Sequence, residues 1–136
     1  MDEERFYFEG LKVYQKALEY IDLVYIITKR YPKTESFSLI DQFRRASISI
    51  CLNIAEGSGG SKAEFNQFLK IARRSARECI AITEISFRQK FIGPEDKRES
   101  RQFCAELSKM LFPHKMHLSF PIVSLRLLHK HLQIPA

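Results

Sequence analysis

Four cations fall within one short window: Lys70, Arg73, Arg74 and Arg77, spaced 3, 1, 3. On a helix this spacing sets them in one stripe about two turns long. Arginine forks match the geometry of phosphate oxygens, so such a stripe suits a nucleic-acid backbone. Arg44 and Arg45 add a pair near the start of an earlier apolar segment, and Lys97, Arg98 and Arg101 add a cluster further on. The competing chemistry is salt bridging, within the chain or between subunits, to Glu64, Glu78 and Glu84. Both roles are open for Arg73, Arg74 and Arg77. For Arg44 and Arg45 an interhelix structural role is favoured.

Other chemistries find little support. Nucleophilic catalysis needs a Ser or Cys beside a His and a carboxylate. All four histidines, His114, His117, His129 and His131, lie in residues 114–136, away from the periodic segments. Neither histidine pair has a Cys or carboxylate at ligand spacing, so no metal site is expected. The stretch Gly-Ser-Gly-Gly-Ser-Lys at residues 57–62 lacks the spacing of a phosphate loop and follows a helical pattern rather than a strand. Acidic pairs such as Glu3 with Glu4, or Glu95 with Asp96, fall at segment ends, where they serve solvation or the helix dipole. The chain is expected to be no enzyme and to need no cofactor.

The bulk numbers agree with a binding or structural role. The 136 residues suit one domain, with 45% apolar and 28% charged residues and a net charge of +6. A pI of about 9.3 favours polyanionic partners. Cys51, Cys79 and Cys104 are odd in number and widely spaced, which fits neither a disulfide framework nor a zinc site. They read as small buried hydrophobes in a reducing cytoplasm. The acidic start, Met-Asp-Glu-Glu-Arg, is not that of a signal peptide. No apolar run approaches the roughly 20 residues of a membrane span.

Four helical segments are expected to position the cations. The first runs from about Glu9 to Arg30. Leu11, Tyr14, Leu18, Ile21, Tyr25 and Thr28 form one heptad seam, spaced 3, 4, 3, 4, 3. Val13, Ala17, Tyr20, Val24 and Ile27 form a second seam beside it. Two seams make a wider apolar arc than a surface helix needs, so a second subunit is the expected neighbour. After the break at Pro32, Ser36 or Ser38 is expected to cap a second helix from Leu39 to Glu56. Its seam is Leu39, Phe43, Ala46, Ile50 and Asn53, and Gly57 is expected just beyond its end in the left-handed conformation. Ser61 and Glu64 make a capping box for the third helix, which continues to about Lys90. Its seam is Phe65, Phe68, Ala72, Ser75, Cys79, Ile82 and Ser86, with small residues in the middle. Pro94 opens a fourth helix with Phe103, Leu107, Met110 and Leu111, ended by Pro113. The result is an all-α, antiparallel up-down-up-down four-helix bundle over residues 1–113. Residues 114–136 form a tail of undetermined structure, with a short helix conceivable from Val123 to Leu132.

Three stretches resemble the bacterial four-helix-bundle family encoded by intervening sequences inside 23S rRNA genes. Leu11, Val13, Tyr14, Gln15 and Ala17 match a first block, L-x-V-[WY]-Q-x-A. Gln42, Arg44, Arg45, Ala46, Ser49, Ile50, Asn53, Ile54, Ala55, Glu56 and Gly57 match a second, and it is specific. Ser61, Glu64, Phe65, Phe68, Leu69, Ile71 and Ala72 match a third. The resemblance spans about residues 8–112. It implies an antiparallel four-helix bundle that assembles as a homopentameric ring without known enzymatic activity. Nucleic-acid binding is the usual suggestion for the family. A similar bundle, the accessory protein of diversity-generating retroelements, contacts nucleic acid and a reverse transcriptase. This chain departs from the family in carrying Arg74 where a Gly is common, and in ending its fourth helix at Phe112-Pro113.

Asn53 and Glu56 then read as structural. A polar residue in an apolar seam specifies register and partner number, and Glu56 can answer a basic residue across a helix contact. The expected protein is a non-enzymatic oligomeric bundle that binds RNA or DNA through repeated basic stripes. The alternative is a scaffold for a polymerase, reverse transcriptase or ribosomal partner.

Overall fold

The computed structural model describes residues 3–113. Four helices make up most of this part: α1 (Lys12–Thr28), α2 (Leu39–Ser58), α3 (Lys62–Arg88) and α4 (Pro94–Met110). The histidines and the segment from Val123 to Leu132 lie outside the described residues.

The helix ends show where local chemistry overrides periodicity. The first helix starts later than Glu9. The Glu9 carboxylate accepts the Phe6 amide at 2.7 Å, which closes a 3-10 turn over Tyr7–Gly10. Leu11 is extended, so α1 begins at Lys12. Ser38 stands before α2, but its hydroxyl donates to the Glu35 carboxylate at 2.6 Å and caps no helix amide. At α3 the Ser61 hydroxyl accepts the Glu64 amide at 3.2 Å. The Glu64 carboxylate returns to the same hydroxyl at 3.3 Å rather than to the Ser61 amide, so only half of the capping box forms. Pro94 begins α4 as expected, and Asp96 reaches the Gly93 amide at 3.5 Å.

Gly57 corrects an expectation. It lies inside the last turn of α2 with an ordinary helical backbone, and no described glycine has positive φ. Its lack of a side chain is used differently. A Cβ there would meet the Phe68 Cβ at 2.6 Å and Phe65 at 2.8 Å. Gly57 therefore lets α2 and α3 approach closely.

The second seam of α1 is the core seam: Val13, Ala17, Tyr20, Val24 and Ile27 are all buried. The first seam flanks it, with Tyr14, Leu18, Ile21 and Tyr25 only half-buried. Phe43, Ile50 and Ile54 of α2, Leu69, Ala72 and Cys79 of α3, and Cys104 and Leu107 of α4 complete the centre. Ile54, not Asn53, holds the core position on α2.

Polar contacts tie the helices at matching heights. Lys16 of α1 pairs with Glu106 of α4, and Arg30 just beyond α1 bonds Asp96 of α4 at 2.9 Å. Early residues of one helix thus meet late residues of the other, as antiparallel order requires. The Ser100 hydroxyl lies 2.9 Å from the Tyr20 phenol and 2.8 Å from Thr83, joining α1, α3 and α4 inside the core. Such a buried chain fixes how the three helices meet. The three thiols are buried and form no disulfide. Burial pushes the Cys51 thiol up to about 11, and the adjacent Cys104 sulfur with burial pushes Cys79 up as well. Both stay protonated at neutral pH.

Candidate nucleic-acid interface

The α3 helix divides its cations by direction. Lys70, Arg74 and Arg77 are exposed and share one face. None has a carboxylate partner among the described residues. Glu78 beside them is exposed and makes no ion pair there. Glu84 is engaged elsewhere: Lys97 of α4 reaches it at 2.8 Å and Arg88 at 3.6 Å. The Lys97 contact holds its carboxyl below the usual range. Among the described residues, the intrachain salt bridges that the sequence left open as the alternative therefore leave these three cations out.

Arg73 departs from the stripe. It is half-buried, its Nη1 donates to the Leu111 carbonyl at 2.8 Å, and its guanidinium lies 4.4 Å over the Phe112 ring. It closes the C-terminal end of α4, where carbonyls lack helical partners. Arg44 also works internally. Its Nε donates to Thr28 Oγ1 at 3.0 Å, and it sits 4.3 Å over Tyr25. These contacts join α2 to the end of α1. Arg45 is mostly exposed and lies 3.7 Å from Asp41 on its own helix, so it makes no interhelix bond among the described residues. Lys97 is tied to Glu84 and to the Phe87 ring, while Arg98 and Arg101 are exposed.

The structural residues also separate. Asn53 is half-buried and donates to the Ser49 carbonyl at 2.8 Å and the Ser49 hydroxyl at 3.1 Å. Ser49 lies 2.8 Å from Ser75 of α3. Asn53 thus belongs to a short polar chain that links α2 to α3. Glu56 is exposed, and among the described residues its carboxylate answers no cation. Gly57 provides the close approach, and Ser61 with Glu64 starts α3.

Sequence reasoning missed two cations at the far end of α3, Arg88 and Lys90. Arg88 falls on the same face as Arg77, three turns later, a repeat that was readable. The position of Lys90 depends on a backbone turn that no residue type announced.

The fold and this face define a class: a four-helix bundle with an open basic helix face. Within that class, the family described as 23S rRNA-intervening sequence protein matches residues 9–113, and the chain belongs to it. A solved structure from Bacteroides thetaiotaomicron, described as a protein of unknown function from the S23 ribosomal protein family, is 27% identical with a TM-score of 0.68. The alignment covers 76% of this chain and 97% of that one. No curated protein matches the chain. No described helix is long and apolar enough to cross a membrane.

Proposed function

We propose that this protein is a non-enzymatic, cytoplasmic, homo-oligomeric bundle that binds RNA or DNA through the α3 face. One observation carries the reading: Lys70, Arg74 and Arg77 share an exposed face with no carboxylate partner among the described residues. Like charges so spaced repel by roughly 0.2–0.5 kcal/mol per pair. A polyanion relieves that repulsion, and a ring of subunits repeats the face. Membership of a family named for 23S rRNA intervening sequences supports the reading.

The test is a binding isotherm at several salt concentrations. Arg74→Ala with Arg77→Ala should keep the fold and weaken binding to RNA and DNA of any sequence. The slope of log affinity against log salt should fall by about 0.9 per lost duplex contact. An intact protein without affinity at low salt would sink the proposal. The scaffold reading, with a protein partner such as a polymerase or reverse transcriptase, has its own support in Ile71 and Ile85. They are 43% and 47% exposed on the same helix. Binding to that surface would respond weakly to salt.

A further inference from the structure

Where α3 ends, Arg30, Phe87, Arg88, Lys90, Phe91 and Ile92 line an open cleft of about 510 Å³. Three cations stand on it and no carboxylate-bearing residue lines it. Asp96 holds Arg30 at 2.9 Å, and Glu84 stands 3.6 Å from Arg88. Neither acid lines the cleft, and each stands nearest a single nitrogen of its guanidinium. Lys90 has no acidic partner among the described residues. The wall between the cations is apolar: Phe91 packs against Tyr31 at 5.3 Å, and Ile92 is buried beside it.

Lys90 is held there against its own backbone preference. Its φ is 64°, the only positive φ among described non-glycine residues. The Lys90 amide donates to the Phe87 carbonyl at 3.0 Å and the Phe91 amide to Ser86 at 2.9 Å. This pair of bonds is a Schellman turn, whose left-handed position ordinarily takes glycine. A glycine there would relax the turn and lose the cation. A strained residue at the rim of a cleft is where a functional demand opposes stability.

The cleft also continues the open face of α3. Lys70, Arg74, Arg77 and Arg88 run along one side of the helix over about 27 Å at 1.5 Å per residue. A strand laid along that side reaches the cleft at its end.

We infer that the cleft accepts one unstacked nucleotide of single-stranded nucleic acid, with its phosphate on Arg88 and Lys90 and its base against Phe91 and Ile92. This rests on the nucleic-acid reading and adds strand state to it. A duplex offers its phosphates to the α3 face but keeps its bases stacked, so it cannot fill the apolar wall. A single strand offers both.

The experiment compares a short single-stranded oligonucleotide with its duplex, by fluorescence anisotropy on the full chain. The intact protein should favour the single strand. Arg88→Ala with Lys90→Gly should weaken binding to both probes, whereas the cleft variant Phe91→Ala should lose about tenfold on the single strand and much less on the duplex. Lys90→Gly alone should melt at a higher temperature than the intact protein, which separates lost binding from lost folding. An equal single-strand to duplex ratio in the intact protein and the cleft variant overturns the inference. If Arg74→Ala with Arg77→Ala still weakens both probes in that case, the α3 reading stands without the cleft. If the intact protein binds neither probe at low salt, both readings fall.

Discussion

At Gly57 a side chain would have nowhere to go. Replacing a helical glycine by alanine ordinarily stabilises a helix by about 0.8–1 kcal/mol. Here the added methyl would sit 2.6 Å from the Phe68 Cβ, an atom fixed to the α3 backbone, and 2.8 Å from Phe65. Neither helix can yield without moving its whole turn. Overpacking of this kind costs roughly 1–3 kcal/mol, so the expected sign is reversed. Gly57→Ala should lower the denaturation midpoint in urea, and a midpoint that rises would mean α2 and α3 are less closely packed. The sequence did single out Gly57, but for the wrong reason. The break after it looked like a helix end, and nothing in one chain reveals that two phenylalanines press on it from another helix.

Helix α3 teaches a related lesson about what spacing can resolve. Its length, its Ser61 start and its small-residue seam were all legible, because each rests on local chemistry or a regular period. The stripe was legible too, but only as a set of positions. Four cations within 100° of arc looked equivalent, yet Arg73 turns to the Leu111 carbonyl and the Phe112 ring at the end of α4. That choice depends on where α4 stops, which the spacing on α3 does not contain. The consequence is measurable. Arg73→Ala removes a charged hydrogen bond to a partly buried carbonyl and should cost roughly 1–3 kcal/mol of stability. Arg77→Ala, on the open face, should change stability by no more than about 0.5 kcal/mol. Urea titrations of the two variants side by side check this. Equal losses would mean that Arg77 also has a structural partner. The twin seams of α1 divide in the same manner: periodicity found both, but only packing decided that the Val13 to Ile27 seam would be the core.

For the whole molecule, the remaining seam is the consequential feature. Tyr14, Leu18, Ile21 and Tyr25 are only half-buried along one side of α1, and Ile26, about 80° further round the helix from Leu18 and past the exposed Asp22, is 60% exposed. A second subunit that covers the seam and reaches Ile26 would bury both, and a ring would do so for every copy at once while repeating the α3 face once per subunit. Light scattering should then report a mass near 80 kDa for a pentamer of the 16.0 kDa chain. Ile26→Glu is the sharper probe. At an exposed site it should change the stability of one chain by no more than about 0.5 kcal/mol. Placed in an apolar subunit contact, the same carboxylate loses its hydration without gaining a partner, which is far more costly. The variant should therefore keep its helical circular-dichroism spectrum while its mass falls toward that of one chain. A variant that stays at the mass of the intact assembly would move the subunit contact off α1. Because repeated faces act together on one polyanion, a variant that dissociates should also bind nucleic acid more weakly than its unchanged α3 cations alone would predict.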